Sequence, residues 1–253
     1  FRSVYAKYVY KKIYDDGSAR YIKRGGLGID WRLFRDMYVF GEITIAERRE
    51  YYGYMAGTTI LLSDKLSLYG YFDSYSISIP LSAGMRQPDA SEIHGSARYR
   101  SSELFEAQSG ITRLRYSDDN RSTTFFARID NSIWRSAYWK LRLETAGSAT
   151  ENSRTDVSYF SPEKHYDAFL TPYLEHVLYK RYDTSLYHTL FYGNGAVWEK
   201  SYDPRHSWFL RYELNIQLNE YLKFTIGDSY SRKIYSGERT DVWKFYGNIT
   251  TRF

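Results

Sequence analysis

Apolar and polar residues alternate with a period of two along most of the chain. Between Trp208 and Leu218, every second position from Trp208 is apolar, and most positions between them are polar or charged, as at Arg211 and Glu213. This period is typical of a β-strand with one apolar and one polar face. Short turn-forming sequences such as Asp-Asp-Gly at 15–17 separate these segments, which favours antiparallel hairpins.

The pattern predicts fourteen strands and no helix of consequence. The predicted strands span 2–13, 20–32, 36–47, 51–62, 65–78, 92–101, 104–116, 121–132, 137–146, 166–180, 185–199, 206–218, 221–232 and 240–253. No linker or domain boundary interrupts them, so residues 1–253 are predicted to form a single domain. An open sheet of this size would leave two unpaired edges, and closure into a barrel removes both.

The last predicted strand decides between a soluble and a membrane barrel, because alternation alone allows either. Phe245, Ile249 and Phe253 share one face of this strand, and Lys244 and Asn248 share the other. A terminal Phe after such a strand resembles the signal recognised by the outer-membrane insertion machinery. We therefore predict an all-β, antiparallel, transmembrane β-barrel of a Gram-negative outer membrane, with lipid outside and a wet lumen inside.

Composition agrees with a barrel and removes several other classes. Aromatic residues make up 19% of the 253 positions (28 Tyr, 14 Phe and 6 Trp), which suits two aromatic girdles at membrane interfaces. No apolar run is long enough for a transmembrane helix. The absence of Cys excludes disulfides and thiolate metal sites. Basic and acidic residues are interspersed despite a net charge of +5, so a nucleic-acid partner is not expected.

Three stretches point to a particular family. They are Tyr159-Phe160-Ser161-Pro162, Tyr179-Lys180-Arg181-Tyr182-Asp183-Thr184 and the closing residues 246–253. Together they resemble the C-terminal barrel of outer-membrane exporters of poly-β-1,6-N-acetyl-D-glucosamine (PgaA type). The Tyr-Phe-Ser-Pro element also looks like one in cellulose exporters. The second stretch, with Tyr182 and Asp183, favours the poly-N-acetylglucosamine branch.

The resemblance implies properties that alternation cannot give. Family barrels have sixteen strands, so the intact protein is expected to supply a further hairpin before Phe1. A periplasmic tetratricopeptide-repeat region is expected upstream of this chain. The implied function is export of a partly deacetylated, partly cationic exopolysaccharide for biofilm formation. The implied partners are this polymer, outer-membrane lipid, the insertion machinery and a periplasmic deacetylase.

The polar faces of the strands supply candidate residues for a polymer path. Acidic side chains can guide a partly cationic polymer, while basic ones limit how tightly it adheres, and lumen tyrosines can stack on sugar rings. The candidates are Asp30, Glu42, Asp73, Asp130, Glu144, Glu175, Glu213, Arg211, Tyr69 and Tyr138. The alternative for each charge is a solvated or paired lumen group, and for each tyrosine it is packing inside the barrel or at its rim.

Three other functions remain open at this stage: export of cellulose or another exopolysaccharide, a general porin, and an outer-membrane barrel enzyme such as a lipid hydrolase. The enzyme would need His188 with Ser185, or His206 with Ser207, and no Gly-x-Ser-x-Gly element is present. Neighbouring residues on a strand point to opposite faces, which argues against His206 with Ser207. No His, Asp or Glu group has metal-ligand spacing, so no enzyme activity, cofactor or metal is predicted.

Overall fold

The computed structural model describes residues 3–15, 18–46, 51–76, 89–157, 159–200, 202–235 and 238–252. Within them it contains fourteen β-strands. These are β1 (Ser3–Asp15), β2 (Ser18–Phe34), β3 (Met37–Ala46), β4 (Tyr51–Leu61), β5 (Leu66–Asp73), β6 (Ala90–Arg100), β7 (Phe105–Tyr116), β8 (Arg121–Arg135), β9 (Trp139–Asn152), β10 (Lys164–Arg181), β11 (Thr184–Glu199), β12 (Tyr202–Gln217), β13 (Leu222–Tyr235) and β14 (Glu238–Arg252). None of these residues forms a helix long and apolar enough to cross a bilayer.

The strands form one closed antiparallel barrel. Each strand pairs with its neighbours in sequence, and β1 closes the sheet against β14, with Ser3 opposite Arg252. The predicted all-β, antiparallel barrel is therefore confirmed. The sixteen strands implied by the family resemblance differ from the fourteen in the described residues. In the described residues β1 and β14 pair with each other, so the fourteen strands close without an unpaired edge.

Two strands end farthest from their predicted last residues, for local reasons. β5 ends at Asp73 instead of residue 78, because the Asp73 carboxylate accepts a 3.0 Å hydrogen bond from the Tyr75 amide as the chain bends away. β9 continues to Asn152 instead of residue 146. Its second half is rich in Ala, Gly, Ser and Thr, so alternation fades there although pairing with β8 and β10 continues.

The barrel is apolar outside and polar inside. Leu27 and Ile43 are each 67% exposed on its outer surface, whereas Glu42 and Thr44, which flank Ile43, are buried at 3% and 1%. The largest fully buried side chains among the described residues are all polar: Asn120, Thr44, Thr171, Thr240 and Ser76. This arrangement is the reverse of a soluble core, and it is the one expected of a barrel surrounded by lipid.

The two ends of the barrel carry different links. At one end, strands are joined by the short segments 35–36, 62–65, 101–104, 136–138, 182–183 and 218–221. The other end carries the two longest links, 74–89 and 153–163. Short turns face the periplasm and long loops the outside in barrels of this kind. We therefore assign the end with the long links as extracellular and the other end as periplasmic.

Candidate translocation path

Nine of the ten predicted path residues lie on inward faces of the strands. They alternate with exposed apolar residues; Asp30 and Asp130, for example, each follow an exposed isoleucine, at positions 29 and 129. The nine are Asp30, Glu42, Asp73, Asp130, Glu144, Glu175, Glu213, Arg211 and Tyr69. The barrel thus brings side chains from distant parts of the sequence to one lumen.

Tyr138 lies elsewhere, and its predicted position requires correction. Strand β9 begins at Trp139, and the Ser136 amide donates to the Trp139 carbonyl across a turn. This turn interrupts the alternation on which the prediction depended. Tyr138 is therefore 64% exposed at the periplasmic end, outside the lumen.

Arg24 joins two of the predicted carboxylates in a buried cluster. Its guanidinium donates to Asp73 at 2.6 and 3.3 Å and to the Tyr75 carbonyl at 2.9 Å, and it lies 3.7 Å from Glu42. The Tyr5 hydroxyl donates to Glu42 at 3.1 Å. All three charged side chains are buried, so each carboxylate has lost water and gained a protein partner. These acids are fixed parts of the wall.

A second cluster surrounds Glu106 on the periplasmic half of the lumen. Its carboxylate lies 2.5 Å from Arg98, 2.8 Å from Arg100 and 3.5 Å from Arg128. Arg128 also reaches Glu144 at 3.4 Å. Charges of both signs therefore alternate around this part of the wall, and they largely neutralise one another.

The remaining predicted acids also have protein partners, although the partner of Asp30 is a neutral hydroxyl. Asp130 accepts from Arg142 at 2.9 Å and from the Tyr173 hydroxyl at 2.5 Å. Lys140 binds Glu175 at 2.9 Å, and the Ser3 hydroxyl donates to Asp30 at 2.8 Å. Glu213 accepts from the Tyr246 hydroxyl and lies 3.5 Å from Arg211. We call the wall formed by β2–β10, with the paired charges on those strands, the paired wall; the Glu213 pair lies outside it on β12.

Rings on the inward faces of β3, β5, β6 and β8 form a continuous row. Tyr69 stacks with Phe40 at 5.9 Å between ring centroids and lies 5.6 Å from Tyr71. Tyr71 stacks on His94 at 4.9 Å, and His94 stacks on Phe126 at 5.5 Å. We call these five residues the aromatic row. They give one side of the lumen flat apolar surfaces edged by polar groups.

The opposite side of the lumen carries four lysines that the prediction did not include. Lys7 and Lys11 on β1, Lys233 on β13 and Lys244 on β14 line a cavity of about 570 Å³ together with the Arg24 cluster. Lys11 and Lys244 are directly opposite in the β1–β14 pair. Among the described residues, no carboxylate lies within ion-pairing distance of these lysines. We call them the lysine wall. The alternation of polar and apolar residues could have found Lys244, because it lies two positions before Tyr246 on the polar face of the last strand.

The loop of residues 153–163 folds into the extracellular mouth of the barrel. Tyr159, Phe160 and Ser161 are all buried. Phe160 packs against Tyr235 on β13 at 4.6 Å, and Phe160 and Pro162 line a lumen cavity of about 520 Å³. The loop therefore reaches from β9 and β10 toward the far wall, and it narrows the exit.

Hydrogen bonds hold this loop in place. The Tyr159 hydroxyl donates to Asp118 at 3.0 Å, and the buried Asn120 amide donates to Tyr159 and to Ser161, each at 2.9 Å. The Ser161 hydroxyl donates to the Arg154 carbonyl at 2.6 Å. Burial and the Asp118 carboxylate raise the pKa of Tyr159, so its hydroxyl stays protonated. The Tyr-Phe-Ser-Pro element thus anchors the loop.

The second sequence element lies at the other end of the barrel. Tyr182 and Asp183 form the two-residue turn between β10 and β11. Tyr182 has a φ of 51°, and its side chain is 88% exposed beneath the Arg181 guanidinium, which lies 5.7 Å from the ring centroid. The structure therefore does not bring the two elements together.

The residues of the predicted insertion signal occupy the last strand. Phe245 and Ile249 lie on the outer face of β14 and are 36% and 46% exposed. Phe253 lies outside the described residues. Recognition of this strand by the insertion machinery remains a prediction.

The two histidines considered for an enzyme, His188 and His206, have polar contacts with groups other than Ser185 and Ser207. His188 contacts His176 at 3.1 Å, and His206 contacts Asn194 at 2.6 Å. His94 contacts the hydroxyls of Ser96 and Thr112 with its two ring nitrogens, so neither nitrogen is held by an orienting carboxylate. Within the described part of the chain, no cluster of three or more His, Asp or Glu residues could hold a metal ion.

A closed antiparallel sheet with an apolar exterior and a charged, narrowed lumen defines the class: this is a transmembrane β-barrel of the bacterial outer membrane. The family described as the PgaA membrane beta barrel domain matches residues 1–253. The chain therefore belongs to the PgaA membrane β-barrel family, which confirms the resemblance seen in the sequence.

Solved structures show the same fold at low sequence identity. A "Bacterial polysaccharide outer membrane secretin" is similar with a TM-score of 0.79 and 17% identity, over 99% of this chain and 98% of that chain. The β domain of the Bordetella autotransporter BrkA has a TM-score of 0.60 and 10% identity, over 100% and 99% of the two chains. The CymD monoaromatic hydrocarbon channel has a TM-score of 0.55 and 10% identity, over 100% of this chain and 88% of that chain. No curated protein sequence matches.

Proposed function

We propose that this barrel passes poly-β-1,6-N-acetyl-D-glucosamine across the outer membrane to the cell surface during biofilm formation. Membership of the PgaA family supports this proposal, as does the fold shared with a polysaccharide secretin. The observation in the structure that carries it is the aromatic row, which lines a lumen that also carries many polar and charged groups.

The chemistry of the lumen suits a moving sugar polymer. Aromatic rings stack on the apolar faces of pyranose rings, and neighbouring hydroxyls and charged groups can bond to sugar hydroxyls. Transport requires many weak contacts, because a tight site would stop the chain. The acids that could bind amines of a partly deacetylated polymer are already paired, as Asp73 and Glu106 show. Adhesion is therefore limited at each step.

Three partners of the proposed function come from the family resemblance alone. The expected upstream tetratricopeptide-repeat region and a periplasmic deacetylase would deliver the polymer to the periplasmic end. The insertion machinery would place the barrel in the membrane. The exit at the other end is narrowed by the 153–163 loop, so the polymer must pass beside this loop or displace it.

The test is deletion of the gene in its native host, with surface polymer scored by a lectin for N-acetylglucosamine. Deletion should abolish the signal, and the wild-type gene should restore it. A Tyr69→Ala, Tyr71→Ala, Phe126→Ala variant should restore little of it although the barrel is present in outer membranes. Tyr138→Ala, in the exposed turn, is the matched control and should restore it fully. Normal surface polymer after deletion would overturn the proposal.

Cellulose and other exopolysaccharides are the next candidates, because the anchored Tyr-Phe-Ser-Pro loop also resembles one in cellulose exporters. If deletion removes a polymer that binds a cellulose-specific probe and not the lectin, the substrate is reassigned within the same class. A general porin differs in conductance. Single-channel recordings of the wild type should show a nearly closed pore, and replacing residues 154–161 by two glycines should open it.

A further inference from the structure

Three exposed arginines lie on the outward face of β7 and β8 at the extracellular end. Arg115 and Arg121 are directly opposite each other in the strand pair, and Arg113 is two positions along β7, opposite Thr123. Residues two apart on a strand share a face and lie about 7 Å apart. The three guanidinium groups therefore form one compact patch, which we call the arginine patch.

The patch begins where the apolar belt ends. Ile111 and Phe125 pair one step toward the membrane centre and are 40% and 59% exposed on the outer surface. Ile93 on β6 lies beside Arg113 and is 60% exposed. The arginines thus occupy the depth at which acyl chains give way to lipid headgroups, on the side of the outer leaflet.

Little in the described part of the chain balances this charge. Like charges directly opposite each other destabilise a strand pair. The ion pair recorded for the patch joins Arg115 to Asp119 at 3.8 Å, and both side chains are mostly exposed. Glu151, the outward carboxylate of β9, lies opposite Thr123 and not opposite an arginine. A pair this exposed adds little stability, so the patch keeps most of its positive charge.

Another outward arginine at the same end shows the contrast. Arg232 on β13 donates to Asp241 at 3.1 Å, and its guanidinium covers the Trp208 ring at 5.9 Å from the centroid. Its charge is satisfied within the protein. Among the residues that the structure describes, the arginine patch has no comparable buried partner, which calls for an anion from outside the chain.

We propose that the arginine patch binds the phosphate groups of a phosphorylated glycolipid of the outer leaflet, of the lipid A type. Guanidinium groups donate paired hydrogen bonds that match phosphate oxygens. With its phosphates on Arg113, Arg115 and Arg121, such a lipid lays its acyl chains along Ile93, Ile111 and Phe125. This interaction does not depend on which polymer passes through the lumen.

The experiment measures lipid binding to the purified full chain in detergent by native mass spectrometry at low salt. Bis-phosphorylated lipid A should bind the wild type. The Arg113→Gln, Arg115→Gln, Arg121→Gln variant should bind about 100-fold more weakly, since each of the three basic residues contributes about fivefold. Arg232→Gln, at the same end but matched by Asp241, is the control and should bind as the wild type does.

A second variant keeps all three arginines. Thr123→Glu places a carboxylate beside Arg113 and should weaken binding by about fivefold. This variant tests the proposal even if the triple variant fails to fold, which heat-modifiability on gels reports. Dephosphorylated lipid should not bind, and phosphatidylglycerol should bind more weakly than lipid A. Equal binding by wild type and both variants would overturn the proposal, and so would equally tight binding of free pyrophosphate.

Discussion

On the paired wall, Arg24 holds Asp73 at 2.6 Å and lies 3.7 Å from Glu42, and all three side chains are buried. Beside this cluster, on the adjacent strands β1 and β14, Lys11 and Lys244 lie opposite each other with no carboxylate in ion-pairing range among the described residues. The first arrangement places buried charges where the protein itself neutralises them. The second places two basic groups beside each other with no such neutralisation. The charged residues of the Arg24 cluster therefore stabilise the fold, whereas the lysines determine the electrostatic potential in the lumen.

This difference changes how the lumen would treat a partly cationic polymer. The sequence suggested that acidic residues guide the chain, but the acids have partners such as Arg24, Arg142 and Lys140. The electrostatic attraction between the amines of the polymer and the paired wall is therefore small. The lysine wall repels amines and keeps them from settling. Contact with the polymer then falls mainly to the aromatic row, which is consistent with passage of a sugar chain.

The largest effect is expected when the buried cluster of the paired wall loses its cation. Arg24→Met leaves Glu42 and Asp73 buried and facing each other, which costs about 3–5 kcal/mol of unfolding free energy. Urea unfolding in detergent micelles measures this loss. Lys11→Met is the matched change on the lysine wall and should cost less than about 1 kcal/mol. Equal losses for the two variants would erase the difference between the walls.

A smaller effect is expected at the second cluster of the paired wall. Glu106→Gln removes the charge shared by Arg98, Arg100 and Arg128. Hydrogen bonds to charged groups contribute about 1.5–3 kcal/mol, and the partly exposed arginines reduce the expected loss to about 1–2 kcal/mol. The same unfolding assay applies. Glu103→Gln, in an exposed turn at the same end, should leave stability unchanged, and a similar loss there would contradict this account.

The smallest change in stability, with the opposite sign, is expected on the lysine wall. Lys11→Gln with Lys244→Gln removes a like-charged pair, so the barrel should keep its stability or gain up to about 1 kcal/mol. The lumen field should change clearly. In the chain with residues 154–161 replaced, the reversal potential in a KCl gradient should shift toward cations. Lys164→Gln, exposed at the extracellular end, should not shift it, and an unchanged potential in the double variant would refute a lysine-dominated field.

Alternation was enough to predict every strand and most of the inward faces. The apolar positions from Trp208 to Leu218 mark β12, and the parity of Phe245 and Ile249 marks the outer face of β14. Both follow from a property of single strands, since successive side chains point to opposite sides. Where a turn interrupts the strand, the same rule fails, as it did for Tyr138.

The partners of each charge could not be predicted in this way. Parity gives the side of the sheet on which a residue lies, but not its height relative to other strands. Arg24 meets Asp73 only because the stagger of β2 to β5 brings both to one level. The inward course of the 153–163 loop likewise depends on Asn120 and Tyr235, which are remote in sequence. The tyrosine and proline of its motif do not by themselves indicate whether the loop turns into the lumen or away from it.

The pairing of β1 with β14 also sets an order of events during assembly. Thirteen strand pairs join neighbours in sequence and can form as soon as each hairpin is available, whereas the last joins the two ends of the described chain. Contacts between such distant segments form slowly, because the intervening polymer must first be organised. Until then β1 and β14 each present an unpaired edge that could recruit another chain. Protection of these edges while the barrel is still open is therefore a requirement of biogenesis.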